Sequence, residues 1–124
     1  MDVNKINKLE VYELALELFK IKDKSFGYGF CAALTYSLMI LYSNISKEDI
    51  ISFISKGGIK FKDEWEESYN NIYDIVKDSL YGRTNTFIEI YKYRPTDWST
   101  YWFDPEDSQS RIDILKRVIS KLKE

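Results

Sequence analysis

Phe26-Gly27-Tyr28-Gly29-Phe30-Cys31-Ala32-Ala33-Leu34 leads on into Leu38-Met39-Ile40-Leu41, the longest apolar run in the sequence. Its uninterrupted length favours one helix over a pair of buried strands, starting near residues 28–30 and ending at 42 or 43. A helix that is apolar almost all round has to be covered by other helices. It does not read as a membrane span. A span needs about 20 apolar residues, and Thr35, Tyr36 and Ser37 interrupt this shorter run.

Outward from this run, other periodicities supply the covering helices. Residues 4–22 form an amphipathic pattern, with Ile6, Leu9, Leu14, Leu18 and Ile21 on one side and Ala15 and Phe19 adjoining. Glu10, Glu13, Glu17 and Lys20 take the opposite face. Downstream, Ser46 is placed to cap a third helix, with Glu48 and Asp49 in its first turn and Gly57-Gly58 at its end. After a short extended link at 59–62, a fourth helix is predicted over 63–80, its stripe Trp65, Tyr69, Ile72, Tyr73 and Val76. A last helix begins at Asp107 or Ser108, with Ile112, Leu115, Ile119 and Leu122 on its stripe and Val118 beside it. Between these two lies an aromatic-rich irregular or short-β segment, about 84–107, in which Arg94-Pro95 blocks any helix. The expectation is a single domain over 1–124, mainly α, with about five helices packed around a buried central helix at about 28–43.

Composition removes several chemistries. The chain has no His, which excludes Ser-His-Asp and Cys-His catalysis and most zinc sites. Its single cysteine, Cys31, makes no intrachain disulfide and reads as a small buried hydrophobe. No calcium-loop spacing is present, and no metal or cofactor is expected. With a net charge of -2 and no basic block, the chain lacks the cationic face that duplex nucleic acid requires. Residues 1–5 lack the basic-then-apolar layout of a signal peptide, so the expected location is cytoplasmic, with no membrane partner.

Two constellations remain as candidate sites. Gly27-x-Gly29-x-x-Ala32 matches a dinucleotide fingerprint, but a charged helix and a polar link precede it where that fingerprint needs a buried strand. Its glycines let the chain turn tightly into the central helix, and backbone N–H groups at Tyr28 and Gly29 are left to meet an anion. The second constellation sets Arg83, Arg94 and Arg111 around Trp98, Tyr101 and Trp102. Rings stack on bases or on a partner's apolar groups, and guanidinium forks fit phosphates and carboxylates. The structural alternative has Trp102 and Phe103 plugging the bundle while Arg111 pairs with Asp104 or Asp107. The acidic cluster Asp104, Glu106 and Asp107 complements the start of the last helix.

Gly29-Phe30-Cys31-x-Ala33-Leu34 resembles a GLC-x-A-L/I helix entrance, with Phe30 in place of the usual Leu. Tyr101-Trp102-Phe103-x-x-x-Asp107-x-x-x-Arg111-Ile112-x-x-Leu115-x-x-x-Ile119 resembles the C-terminal segment that accompanies it. The pair is similar to that of small bacteriophage proteins and covers about half of the chain, with no counterpart for residues 60–94. The resemblance implies a phage-encoded accessory protein that acts by binding in the cytoplasm of the infected host cell. With no catalytic constellation, the expected function is a non-enzymatic binder that counters a host defence system by sequestering a small anionic, nucleotide-type signal. Its ligand-binding residues would be Tyr28, Gly29, Arg83, Arg94, Trp98, Tyr101, Trp102 and Arg111. The alternative is a protein–protein inhibitor of a host protein, anchored by the aromatic segment 91–103. In either case a homo-oligomer with a shared site is open.

Overall fold

A computed structural model describes residues 5–21, 30–56, 61–81 and 108–124. The apolar run forms helix α2, Phe30–Tyr42. Its residues from Phe30 to Met39 are buried except Ala32, as expected of a helix with no polar face. The two fully buried hydroxyls that interrupt the run find acceptors. Thr35 Oγ1 donates to the Cys31 carbonyl one turn back, and Ser37 Oγ donates to the Val11 carbonyl at 2.7 Å. Both therefore escape the penalty of an unpaired buried polar group.

Helix α1, Lys8–Ile21, runs antiparallel to α2. The Asn7 N–H donates to the Tyr42 hydroxyl at 2.9 Å, Ser37 reaches Val11, and the rings of Phe19 and Phe30 meet at 6.0 Å, edge to face. Asn7 also caps α1, its Oδ1 accepting from the Glu10 N–H at 3.1 Å. After α2 the chain turns at Asn44, whose φ of 56° is left-handed, and the Ile45 N–H returns to the Met39 carbonyl at 3.2 Å. Asn takes this conformation more readily than other side-chain-bearing residues. Helix α3, Lys47–Ser55, then starts from Ser46, whose hydroxyl accepts from the Asp49 N–H at 3.3 Å.

A 3₁₀ turn, Asp63–Trp65, leads into α4, Glu66–Tyr81; the sequence predicts continuous helix from residue 63. The last helix, α5, is Ser108–Leu122. Helix α4 packs on α2, while α5 and α3 pack on α1. The centre of the bundle is thus an α1–α2 pair, with α2 the more apolar member. Among the described residues the fold is mainly α, with five α-helices and no strand. The predicted irregular or short-β segment, about 84–107, lies outside them.

Sharing the centre explains which core positions periodicity missed. Helix α1 has neighbours on more than one side, so its buried set widens beyond the predicted stripe to include Val11 and Tyr12, each fully buried. Leu9 and Ile21, predicted on the stripe, are only partly buried. On α5, Ile114 joins Leu115, Val118 and Ile119 in the core, and Ile112 and Leu122 fall to its margin. On α4, Ile72 and Val76 are buried as the pattern predicts, and Trp65 at the helix entrance is 2% exposed. Among the described residues, no helix is long and apolar enough to cross a membrane.

Candidate functional site

Phe61, Trp65, Tyr69 and Tyr73 recur at intervals of four residues across the entrance and first turns of α4. On a helix this spacing stacks side chains along one face. Tyr69 and Tyr73 accordingly lie 5.5 Å apart with their rings 19° from parallel. The ladder faces Tyr36 of α2 and Phe53 of α3.

Four of these rings close a circuit. Tyr36 meets Phe53 at 5.9 Å, Phe53 meets Phe61 at 5.8 Å, Phe61 meets Tyr69 at 5.2 Å, and Tyr69 meets Tyr36 at 5.4 Å. Three of the contacts are edge-to-face and the fourth is tilted. Aromatic pairs of this geometry contribute about 0.5–1.5 kcal/mol each beyond their buried area. The quartet is therefore part of what holds α2, α3 and α4 together. Trp65 backs it, edge-to-face to Phe53 at 5.5 Å and to Phe61 at 5.6 Å.

The quartet also lines a cleft of about 490 Å³, within the usual size of a ligand site. Tyr36 and Phe53, 6% and 8% exposed, form its floor. Half-buried Phe61 and Tyr69 form its walls, and exposed Asp63, Glu66 and Asn70 form its rim. Burial pushes the Tyr36 phenol well above its ordinary pKa, and Tyr69 adds to the effect. Burial first, then Tyr73 and Cys31, pushes the Tyr69 phenol up to about 12. Both phenols are neutral at physiological pH and offer hydroxyl groups and ring faces. A second depression, about 290 Å³, lies beside Asn7, Leu9, Glu10 and Glu13 of α1 and has no aromatic lining among the described residues.

A cation already sits against one ring of the aromatic layer. Lys62 Nζ lies 5.2 Å from the centroid of the Trp65 ring and 3.1 Å from Asp49 Oδ2. Lysine ammonium, indole and carboxylate together form a small cation-holding set.

Tyr28, Gly29, Arg83, Arg94, Trp98, Tyr101 and Trp102 lie outside the described residues. Arg111 lies in α5, where its backbone alone is described. The acidic residues Asp104, Glu106 and Asp107 are also outside them. Cys31 is 5% exposed, in keeping with its reading as a buried hydrophobe. The rings that line the cleft come from residues that periodicity assigns to helices or to a linker. The four-residue aromatic spacing from 61 to 73, interleaved with Asp63 and Glu66, is the signal that marks it.

No protein family matches the chain, and no curated protein or solved structure is similar to it.

Proposed function

We propose that the chain is a non-enzymatic binding protein that inhibits a protein partner by taking one of its side chains into the aromatic cleft. One observation carries this reading: four rings from three helices and a connecting segment converge on a single open cleft. Buried aromatic side chains could be accounted for by packing alone. Here Phe61 and Tyr69 are only half-buried and face an open volume, which is how a ligand site differs from a core. The resemblance to small phage proteins supports the biological setting, a phage product that counters a host defence system in the host cytoplasm.

Sequestration of a nucleotide-type anion is the second reading, supported by the Arg and aromatic residues of the sequence between 83 and 111. The described lining of the cleft suits it poorly, because Asp63 and Glu66 would face a phosphate. A nucleotide would need a site built on Arg83, Arg94, Trp98, Tyr101, Trp102 and Arg111 instead.

Ring signals of the labelled chain, followed by NMR against short peptides and against linear and cyclic nucleotides, test both readings. Saturable shifts of the Tyr36 and Tyr69 rings with a peptide are the expected result. Nucleotide binding that leaves those rings unmoved would favour the second reading, and silence with every probe would sink both.

A further inference from the structure

We propose that the aromatic cleft is selective for a positively charged side chain, arginine before lysine, presented by the partner protein. This rests on the reading of the chain as a binding protein and specifies what its partner must supply.

Among the described residues around the cleft there are two carboxylates, Asp63 and Glu66, and no Lys or Arg. Both carboxylates are exposed at the rim, above a floor and walls made of Tyr36, Phe53, Phe61 and Tyr69. Each ring face carries a negative quadrupole, so it attracts a cation held over it. The described lining thus favours a group with an apolar, planar or methylene body and a positive end, and opposes an anion.

The same chain shows how such a group is held. Lys62 places its ammonium over Trp65 and against Asp49, one ring and one carboxylate to one cation. The cleft offers the same two kinds of partner, several rings and two carboxylates. It lies across Phe53 and Phe61, which separate it from Trp65.

Arginine fits better than lysine for three reasons. Its guanidinium is planar and stacks on rings. It is more weakly hydrated than an ammonium, so entering a cleft costs less. Its donor fork can engage a rim carboxylate while the plane lies on a ring. The Asn70 amide at the rim and the neutral Tyr69 hydroxyl add acceptors beside that position.

Titration of the full chain with a short peptide carrying one arginine, read on the Tyr36, Phe61 and Tyr69 ring signals, tests the proposal. The control is the same peptide with citrulline, which keeps the shape and removes the charge. Arginine is expected to bind at least about tenfold more tightly than citrulline, with lysine between them. Added salt should narrow that gap, since the rim charges are exposed. The double variant Asp63→Asn with Glu66→Gln should weaken the arginine peptide about fivefold and leave the citrulline peptide unchanged. Both changes are at exposed positions, and an unchanged melting temperature verifies the fold.

Equal binding of arginine and citrulline would overturn the proposal while leaving the cleft a binding site. So would a phenylalanine peptide that shifts the same rings when arginine does not. If no peptide of any kind shifts them, the proposal and the binding reading both fail.

Discussion

The phenol ring of Tyr36, on α2, lies 5.4 Å from that of Tyr69, on α4, tilted by 45°. Tyr36 belongs to the core, and Tyr69 to the wall of an open cleft. Their contact joins what stabilises the bundle to what a partner would touch. Deleting either ring would therefore disturb fold and binding together, and changes elsewhere separate the two more cleanly.

Ionisation of these phenols is the first test of that environment. Both pKa values are raised from the ordinary 10.0, that of Tyr69 to about 12. A raised folded value means that the native state holds these protons more tightly than the unfolded state does. Their contribution to stability is complete below pH 10; that of Tyr69 is lost as pH rises through about 12, and that of Tyr36 only at higher pH. Tyrosinate absorbance of the native chain should show phenols that resist ionisation near pH 10, and in urea all ten tyrosines should titrate together. A native curve that matches the urea curve would contradict the burial of this pair.

Ser37 measures the junction of the two central helices. Its hydroxyl donates to the Val11 carbonyl at 2.7 Å in a fully buried setting. Ser37→Ala removes the donor and little volume, and should cost about 1 kcal/mol in urea unfolding. Ser37→Val adds bulk between packed helices as well, and should cost about 1–3 kcal/mol more.

Ser68, beside Tyr69 on α4, is the opposite case. Its Oγ is buried with no hydrogen-bond partner among the described residues. An unpaired buried hydroxyl carries a desolvation penalty, so Ser68→Ala should be neutral or stabilising, by up to about 1 kcal/mol. A clear loss of stability on chemical denaturation would show that this hydroxyl has a partner.

Asn44 holds the turn between α2 and α3 at φ 56°. Asn44→Gly should leave the melting temperature nearly unchanged, because glycine reaches the left-handed region without a steric cost. Asn44→Val should cost about 1–2 kcal/mol, since a β-branched side chain clashes there. Comparison of the two variants isolates the backbone term, as both remove the amide.

The helices were legible because each is written in local chemistry. The run from Phe30 to Tyr42 has no polar face, Ser46 caps α3, and Ile72 and Val76 follow helical spacing. Val11 and Tyr12 were not, because a single-stripe pattern assumes one neighbour and α1 has three among the described helices. The cleft was harder to read for a related reason. Tyr36 looks like a polar break in an apolar run, Phe53 like core, and Phe61 like linker, and only the packing of α2, α3 and α4 brings them together. The aromatic spacing from Phe61 to Tyr73 was visible, but periodicity describes a stripe without saying whether core or cleft lies against it. The predicted site residues at 28–29, 83–102 and 111 rest on residue type alone, since spacing along the chain does not determine which of them meet in space.

The most direct measurement is a set of nuclear Overhauser contacts between an arginine-bearing peptide and the labelled chain. Contacts are expected from the arginine side-chain methylenes to the rings of Tyr36, Phe61 and Tyr69, with none to Phe19, which is buried on α1 and does not line the cleft. A bound peptide whose arginine contacts other residues and leaves these three rings untouched would contradict the proposal.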